Sequence, residues 1–401
     1  MSDETLANKK EIHVIELLLP FFQLFSQYQV GIISIGSILL ILVAGLSLAR
    51  KSGKIRVMNT YKPYLIFLVY VVLRDVVRVV FGPDPVQSQV NRMIEYLVLY
   101  FLVFIICSQS LDEDKLYKVW KIAGVIYTLG ILYQVIQIYV LGHGIAPISI
   151  IPGYVLRPED DIAQLRPSSF FAEPAAFAIV MFPLEFLALK RKDFRWAVFS
   201  TISILLSAST VGIILSVVLW ASSMLSKDSS TKRKIVTILL AAIIIALFMN
   251  MEVFDISLAK FISVTNGEST FVSRVENGFD VVGGQSFLSL ILGTNYHDVL
   301  TFVSDHFNSF SSSRLVRSEK IFLNTFSRLI FQYGIIGLLL YIYPLITYLR
   351  NKRFGAKPFV IMVLVAIFGQ TMLLNSYYFT LIMLFILYDN NSKLEIAGEQ
   401  I

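Results

Sequence analysis

Apolar residues are gathered along this chain in long blocks set apart by short polar joints. A block needs about 20 residues to cross a bilayer as a helix, fewer where flanking residues thin the membrane or snorkel. Blocks of that kind fall at 14–28, 31–49, 61–81, 90–108, 117–141, 168–189, 195–208, 210–225, 235–250, 328–349, 358–374 and 376–389, which makes about twelve spans. Two are ambiguous. Residues 195–225 read either as one long tilted helix or as two short ones, with Ser207-Ala208-Ser209-Thr210 as a tight turn between them. The run 14–28 holds Pro20, Gln23, Ser26 and Gln27, so a place in the membrane interface competes with a crossing. The expected fold is all-α, a single integral membrane domain over residues 1–401.

Charge tests the count. Arg50, Lys51, Lys54, Arg56 and Lys62 share one joint. Lys190, Arg191, Lys192 and Arg195 share a second, Lys227, Lys232, Arg233 and Lys234 a third, and Arg350, Lys352, Arg353 and Lys357 a fourth. With an even number of spans and both termini cytoplasmic, all of these face the cytoplasm, while the opposite joints at 29–30, 82–89, 209 and 375 carry no Lys or Arg. That is the positive-inside pattern. Two outward segments are long, 142–167 and 251–327, and the second is polar and mixed. Functional residues concentrate on such loops.

Composition agrees. The 401 residues are 56% hydrophobic and 15% charged, with mean hydropathy +0.71, against about 25% charged in soluble domains. The net charge of +6 lies in the short clusters just named, so it marks topology and excludes a nucleic-acid footprint. Cys107 is the only cysteine, which rules out an intrachain disulfide. Residues 1–10 are polar and lack the layout of a cleaved signal peptide, so the first span is expected to remain as an anchor.

Three groups of residues carry candidate chemistry. Arg166 stands at the edge of the run 168–189, and Glu173 follows inside it. Burying an ionisable group in hydrocarbon costs several kcal/mol, so such residues are functional suspects by default. If a helix begins near Pro167, a separation of seven puts both side chains on one face, and Pro174 then loosens the helix just past Glu173. The plainer alternative is a snorkelling arginine and a glutamate paired to another helix. The second group is Arg74, Asp75 and Arg78 on the third run with Arg92 and Glu95 on the fourth. It reads either as mutually neutralising pairs between helices or as an inward cationic pocket for phosphate. The third is the long outer segment, which supplies Arg274, Arg314, Arg317, Lys320 and Arg328, with His297 and His306 among them. Any one of these is an ordinary loop residue. As a set, with Arg157 and Arg166, they stand out because outer loops are poor in arginine, and guanidinium groups take diphosphate bidentately.

Other chemistries find little support. His297 and His306 lack the spacing and the cysteine partners of a zinc site, and Glu159-Asp160-Asp161 is the pattern of a solvated loop. The chain holds no phosphate-binding P-loop, no dinucleotide glycine pattern and no nucleophile elbow. No internal repeat is evident, which weighs against an inverted-repeat transporter. Neither metal nor cofactor is expected.

Two stretches resemble the Wzy/O-antigen-ligase superfamily of bacterial membrane glycosyltransferases. RPSSFFAEPAAFA, residues 166–178, is similar to that family's Arg-x-x-Gly/Ser-x-Phe-x-Glu-Pro-x-x-Phe-Ala pattern, and NTFSRLIFQYGIIGLLL, residues 324–340, to the segment that ends its large periplasmic loop. Leu292-Gly293-Thr294 is similar to a leucine-glycine step within the same loop. The chain departs from the pattern at Ser209-Thr210, where the family often has Ser-Arg, and neither histidine aligns with the functional histidine of the ligases. Polymerase is therefore favoured over ligase.

The resemblance implies an inner-membrane enzyme, multi-pass, with its site facing the periplasm beneath the 251–327 loop. It would join repeat units carried on undecaprenyl diphosphate, donor and acceptor both lipid-linked, alongside a chain-length regulator. Within it, Arg166, Arg274, Arg314, Arg317 and Arg328, with Arg78 and Arg92, would hold the diphosphate or stabilise its departure. Glu173 is the first candidate for the base, or orients Arg166; His306 is the second; Asn324 positions a hydroxyl or a loop. An O-antigen ligase, a polysaccharide flippase and a scaffold for the export complex are the alternatives.

Overall fold

The structure, a computed structural model, describes residues 14–30, 33–50, 61–83, 86–108, 111–143, 147–154, 156, 166–224, 270–296, 298–307, 321, 323–350, 360, 363–364, 366–367, 373 and 376–397. It is mostly helical. Apolar runs become α1 (Val14–Ser26), α2 (Ile35–Arg50), α3 (Lys62–Phe81), α4 (Val86–Ile106), α5 (Glu113–Val135), α6 (Pro174–Lys190), α7 (Phe194–Leu206) and α8 (Thr210–Met224). After the segment 251–327 come α12 (Thr325–Arg350) and α13 (Ser376–Ala397). The run 235–250 lies outside the described residues, as does most of 358–374. Among the described residues, three stretches are long and apolar enough to cross a membrane: Gln89–Ile106 in α4, Glu113–Val140, where α5 continues into a π turn, and Thr325–Thr347 in α12. Several other apolar helices are shorter.

The ambiguity at 195–225 resolves on structure. Residues 195–225 form two helices, and Ser207-Ala208-Ser209 is the turn between them, with Ala208 in the left-handed region at φ 50°. α1 is packed within the bundle. Ile15, Glu16, Leu18, Leu19, Phe22, Gln23 and Leu24 are buried, and it packs on α2, α5 and α13. Its polar residues serve contacts inside the bundle: the Glu16 carboxylate accepts the Asp112 N–H at 2.7 Å, and the Tyr127 hydroxyl donates to the Pro20 carbonyl at 2.8 Å. A short antiparallel hairpin, β1 (Gln29–Val30) with β2 (Ile33–Ser34), joins α1 to α2.

α6 is the centre of the bundle. Every residue from Ala176 to Leu189 is buried, with α5, α7 and α8 packed around it. A helix that is apolar on all sides has to be covered on all sides. Its one buried charge, Glu185, accepts from the Thr201 hydroxyl (2.6 Å), the Ser216 hydroxyl (2.9 Å) and the Trp220 indole (3.1 Å), which satisfies the carboxylate from α7 and α8.

The segment 251–327 is helical where it is described: α9 (Thr270–Gly283), α10 (Phe287–Leu292) and α11 (Val299–Phe307). Val281, Phe302, Val303, Leu323 and Phe331 give it an apolar core of its own. α10 starts at Ser286, whose hydroxyl accepts the Ser289 N–H, and stops at Gly293, where φ is 91°.

Candidate functional site

The stretch between Arg166 and Glu173 is not helical. α6 begins at Pro174, which takes the first helical position, and Glu173 before it is extended (φ −138°, ψ 148°). The expectation that Arg166 and Glu173 share a helix face is therefore corrected. A proline that has no N–H to lose costs nothing at a helix start, whereas inside a helix it would break one. Ser168 and Ser169 instead form a turn, with Ser169 at φ 57°.

Side chains from other helices supply the bonds this backbone cannot make itself. Gln134 of α5 accepts from the N–H of Ser168 (2.9 Å) and of Ser169 (2.6 Å) through one oxygen. Gln27 accepts the Ala172 N–H at 2.7 Å, and Ile148 donates to the Ser169 carbonyl at 2.9 Å. The Ser169 hydroxyl donates to the Tyr127 carbonyl, in a space that Gly130 leaves open: a Cβ there would lie 2.3 Å from the Ser169 oxygen. The segment is thus held from three sides before any ligand arrives. At its outer end, Arg166 donates to the Ala208 carbonyl of the α7–α8 turn at 3.1 Å. At the inner end, Glu173 is exposed and lies within electrostatic reach of Tyr377 on α13.

Gln134 and Gln27 are working residues that the sequence flags only weakly, as glutamines set in apolar runs. Gln134→Leu strands two buried N–H groups at about 1–3 kcal/mol each. The expected result is a loss of about 2–6 kcal/mol, measured as a lower unfolding midpoint in detergent; an unchanged midpoint would show that water replaces the amide.

The charged group on α3 does something else. Asp75 and Arg78 are both buried and pair with each other on the one helix, as a spacing of three allows. Arg78, only 1% exposed, also donates to the Thr294 carbonyl (3.1 Å) and lies over the Tyr333 ring, 4.7 Å from its centroid. Arg74 donates to the carbonyls of Gly293 (2.8 Å) and Thr294 (3.3 Å), and the Tyr70 hydroxyl sits 3.1 Å from the Leu292 carbonyl and 2.9 Å from that of Tyr333. These groups fasten residues 292–294 to α3. The ion pair of Arg78 lies within one helix, with Asp75, and its Nε is spent on the Thr294 carbonyl, while its second terminal nitrogen, Nη2, is buried without a hydrogen-bond partner. Glu95 is exposed on α4, and the side chain of Arg92 lies outside the described residues.

Opposite α3, α12 breaks at Gly334 (φ 68°, ψ −175°), where Ile291 and Gly293 press against its backbone. Upstream, Asn324 is 2% exposed and caps α12, its side-chain oxygen accepting the Ser327 N–H at 2.8 Å; Arg328 follows one turn on, half-buried. His306 is exposed on α11, its ring stacked on Phe302 and its Nδ1 3.0 Å from the Phe302 carbonyl. Phe302 in turn packs on Phe331, so His306 belongs to the same outer layer as the start of α12. Arg274 falls on α9 with its side chain outside the described residues, and Arg314, Arg317 and His297 lie outside them altogether.

Among the described residues, no three His, Cys, Asp or Glu side chains gather closely enough to hold a metal ion. What this arrangement can do is present a cation and a carboxylate at the two ends of a rigid, irregular strap. No family model, no curated protein and no solved structure matches the chain.

Proposed function

We propose that this chain is a membrane glycosyltransferase of the Wzy polymerase type, joining oligosaccharide repeat units carried on undecaprenyl diphosphate. The observation that carries this reading is the strap from Arg166 to Glu173. Irregular backbone at membrane depth persists only where it is buried in protein or lines a wet cavity. Here two glutamines and a positive-φ serine hold it, in the same residues whose wording is similar to the polymerase pattern. The reading includes about twelve spans, cytoplasmic termini and a site open to the outer side of the bacterial inner membrane.

In this scheme the acceptor hydroxyl oxygen attacks the anomeric carbon of the donor sugar. The bond from that carbon to the diphosphate oxygen breaks, and the diphosphate leaves with the electron pair. It is a stable anion, so it needs charge stabilisation more than a proton. Arg166 supplies this, with Arg274, Arg314, Arg317 and Arg328 of the outer segment as further diphosphate ligands. Glu173 takes the proton of the acceptor hydroxyl or orients Arg166, and His306 is the alternative base. Asn324, as the cap of α12, sets the position of Arg328 one turn on.

The test uses purified protein in vesicles, given synthetic undecaprenyl-diphosphate repeat units. A ladder of products supports polymerisation. Transfer only to added lipid A core would make it a ligase, and movement of the lipid between leaflets without bond formation would make it a transporter.

A further inference from the structure

Along one edge of α3 the bonded carbonyls follow in order: Leu292 at Tyr70, Gly293 and Thr294 at Arg74, Thr294 again at Arg78. Just past the helix end, a Cβ on Gly82 would sit 2.6 Å from the Asn295 carbonyl. Traced back from Asn295 to Leu292, the chain therefore descends beside α3 from its rim toward its middle. Helical side chains lean toward the N-terminus, which on α3 is the inward end, so the Tyr70 hydroxyl does not rise above its own backbone. Three extended steps reach about 10 Å, and Leu292 lies at a depth of that order below the rim.

α12 is a second ruler. Gly334, against which Ile291 and Gly293 press, is nine residues in from Thr325, or about 14 Å of helical rise. The flanks of the segment come back to a shallower point, and to the same one: the Thr294 N–H donates to the Phe331 carbonyl at 2.8 Å, and the Gln285 amide reaches that carbonyl at 3.4 Å. Between these flanks, α10 reads Phe-Leu-Ser-Leu-Ile-Leu and turns Phe287 (78% exposed) and Leu288 (66% exposed) away from the protein. Facing water, two adjacent large apolar side chains on a fastened segment would be a liability. α3 itself exposes Leu73, Val76 and Val80 in the manner of a lipid-facing helix.

We infer that residues 285–294 form a re-entrant hairpin that dips into the outer leaflet, with Phe287 and Leu288 set against lipid acyl chains. The inference rests on α3 and α12 crossing the bilayer as proposed above. Unbonded backbone at that depth would be costly, and this hairpin meets the requirement through Tyr70, Arg74, Arg78 and the Phe331 carbonyl.

Cys107 is fully buried, so single cysteines can be spin-labelled on the natural chain. Leu288→Cys and Phe287→Cys, reconstituted in vesicles, are compared with Pro83→Cys at the α3–α4 joint by their collision rates with oxygen and with a water-soluble nickel chelate. At 287 and 288 oxygen is expected to dominate, with nickel collisions several-fold below those at 83. Nickel reaching 287 and 288 as readily as 83 would place α10 in water and overturn the proposal. Which side α3 ends on is read separately, by labelling Pro83→Cys in intact cells with a membrane-impermeant maleimide. A label that enters only after lysis sinks the orientation proposed above, while the collision rates still report the depth of α10.

Discussion

Gly334→Ala is expected to lose about 4 kcal/mol or more, enough to remove most of the folded protein from the membrane. Two effects add. The backbone at φ 68° and ψ −175° lies in a region that side-chain-bearing residues avoid, at a cost on the order of 1–3 kcal/mol. The new Cβ would also stand 2.1 Å from the Ile291 carbonyl oxygen and 2.6 Å from the Gly293 nitrogen. Those neighbours cannot yield, because Leu292, Gly293 and Thr294 are tied to α3 by Tyr70, Arg74 and Arg78. Gly293 is under the same constraint from the other side, with the Gln332 carbonyl 2.2 Å from its would-be Cβ. Gly45→Ala is the control: nothing lies within 4 Å of a Cβ there, so a neutral or slightly positive change is expected. Size-exclusion profiles of detergent extracts after heating read both. An intact Gly334→Ala profile would mean that α12 runs straight through this point.

Arg166→Ala is expected to lower product formation by about two to three orders of magnitude, the usual consequence of removing one preorganised donor to a developing anion. Its stability should change little. The hydrogen bond from its half-buried side chain to the Ala208 carbonyl is worth about 1 kcal/mol, small beside the expected loss of rate. Arg166→Lys should recover only a small part of the rate, since an ammonium cannot grip diphosphate with a planar fork. The two measurements together separate the roles. A rate within about tenfold of the natural protein, with a lowered unfolding midpoint, would make Arg166 a brace for the α7–α8 turn and nothing more.

Most of the described helices could be read from the order of apolar and polar residues, because each apolar block is bounded by polar joints. The turn at Ser207–Ser209 was legible for the same reason. The start of α6 was not. RPSSFFAEP is apolar enough to extend the run, and only the tertiary partners, Gln27 and Gln134, make an irregular path cheaper than a helical one. Arg78 shows the converse limit. Its charge announced a special residue and Asp75 is a near neighbour, but two of its partners lie more than 200 positions away in sequence, in the carbonyl of Thr294 and the ring of Tyr333. A backbone carbonyl has no letter in the sequence, so a side chain that binds one looks unpaired until the fold is known. The helices of the outer segment were missed because a short amphipathic helix among polar residues resembles a loop in composition.

A centrally placed α6 has one more consequence. Membrane helices normally answer a thicker or thinner bilayer by tilting. α6 has almost no surface on which lipid could act, being enclosed by α5, α7 and α8 along its length. With the chain spanning a bilayer as proposed, the strap that ends at its first residue is expected to be mechanically insulated, the surrounding helices absorbing any mismatch as acyl-chain length varies while Arg166 and Glu173 keep their spacing.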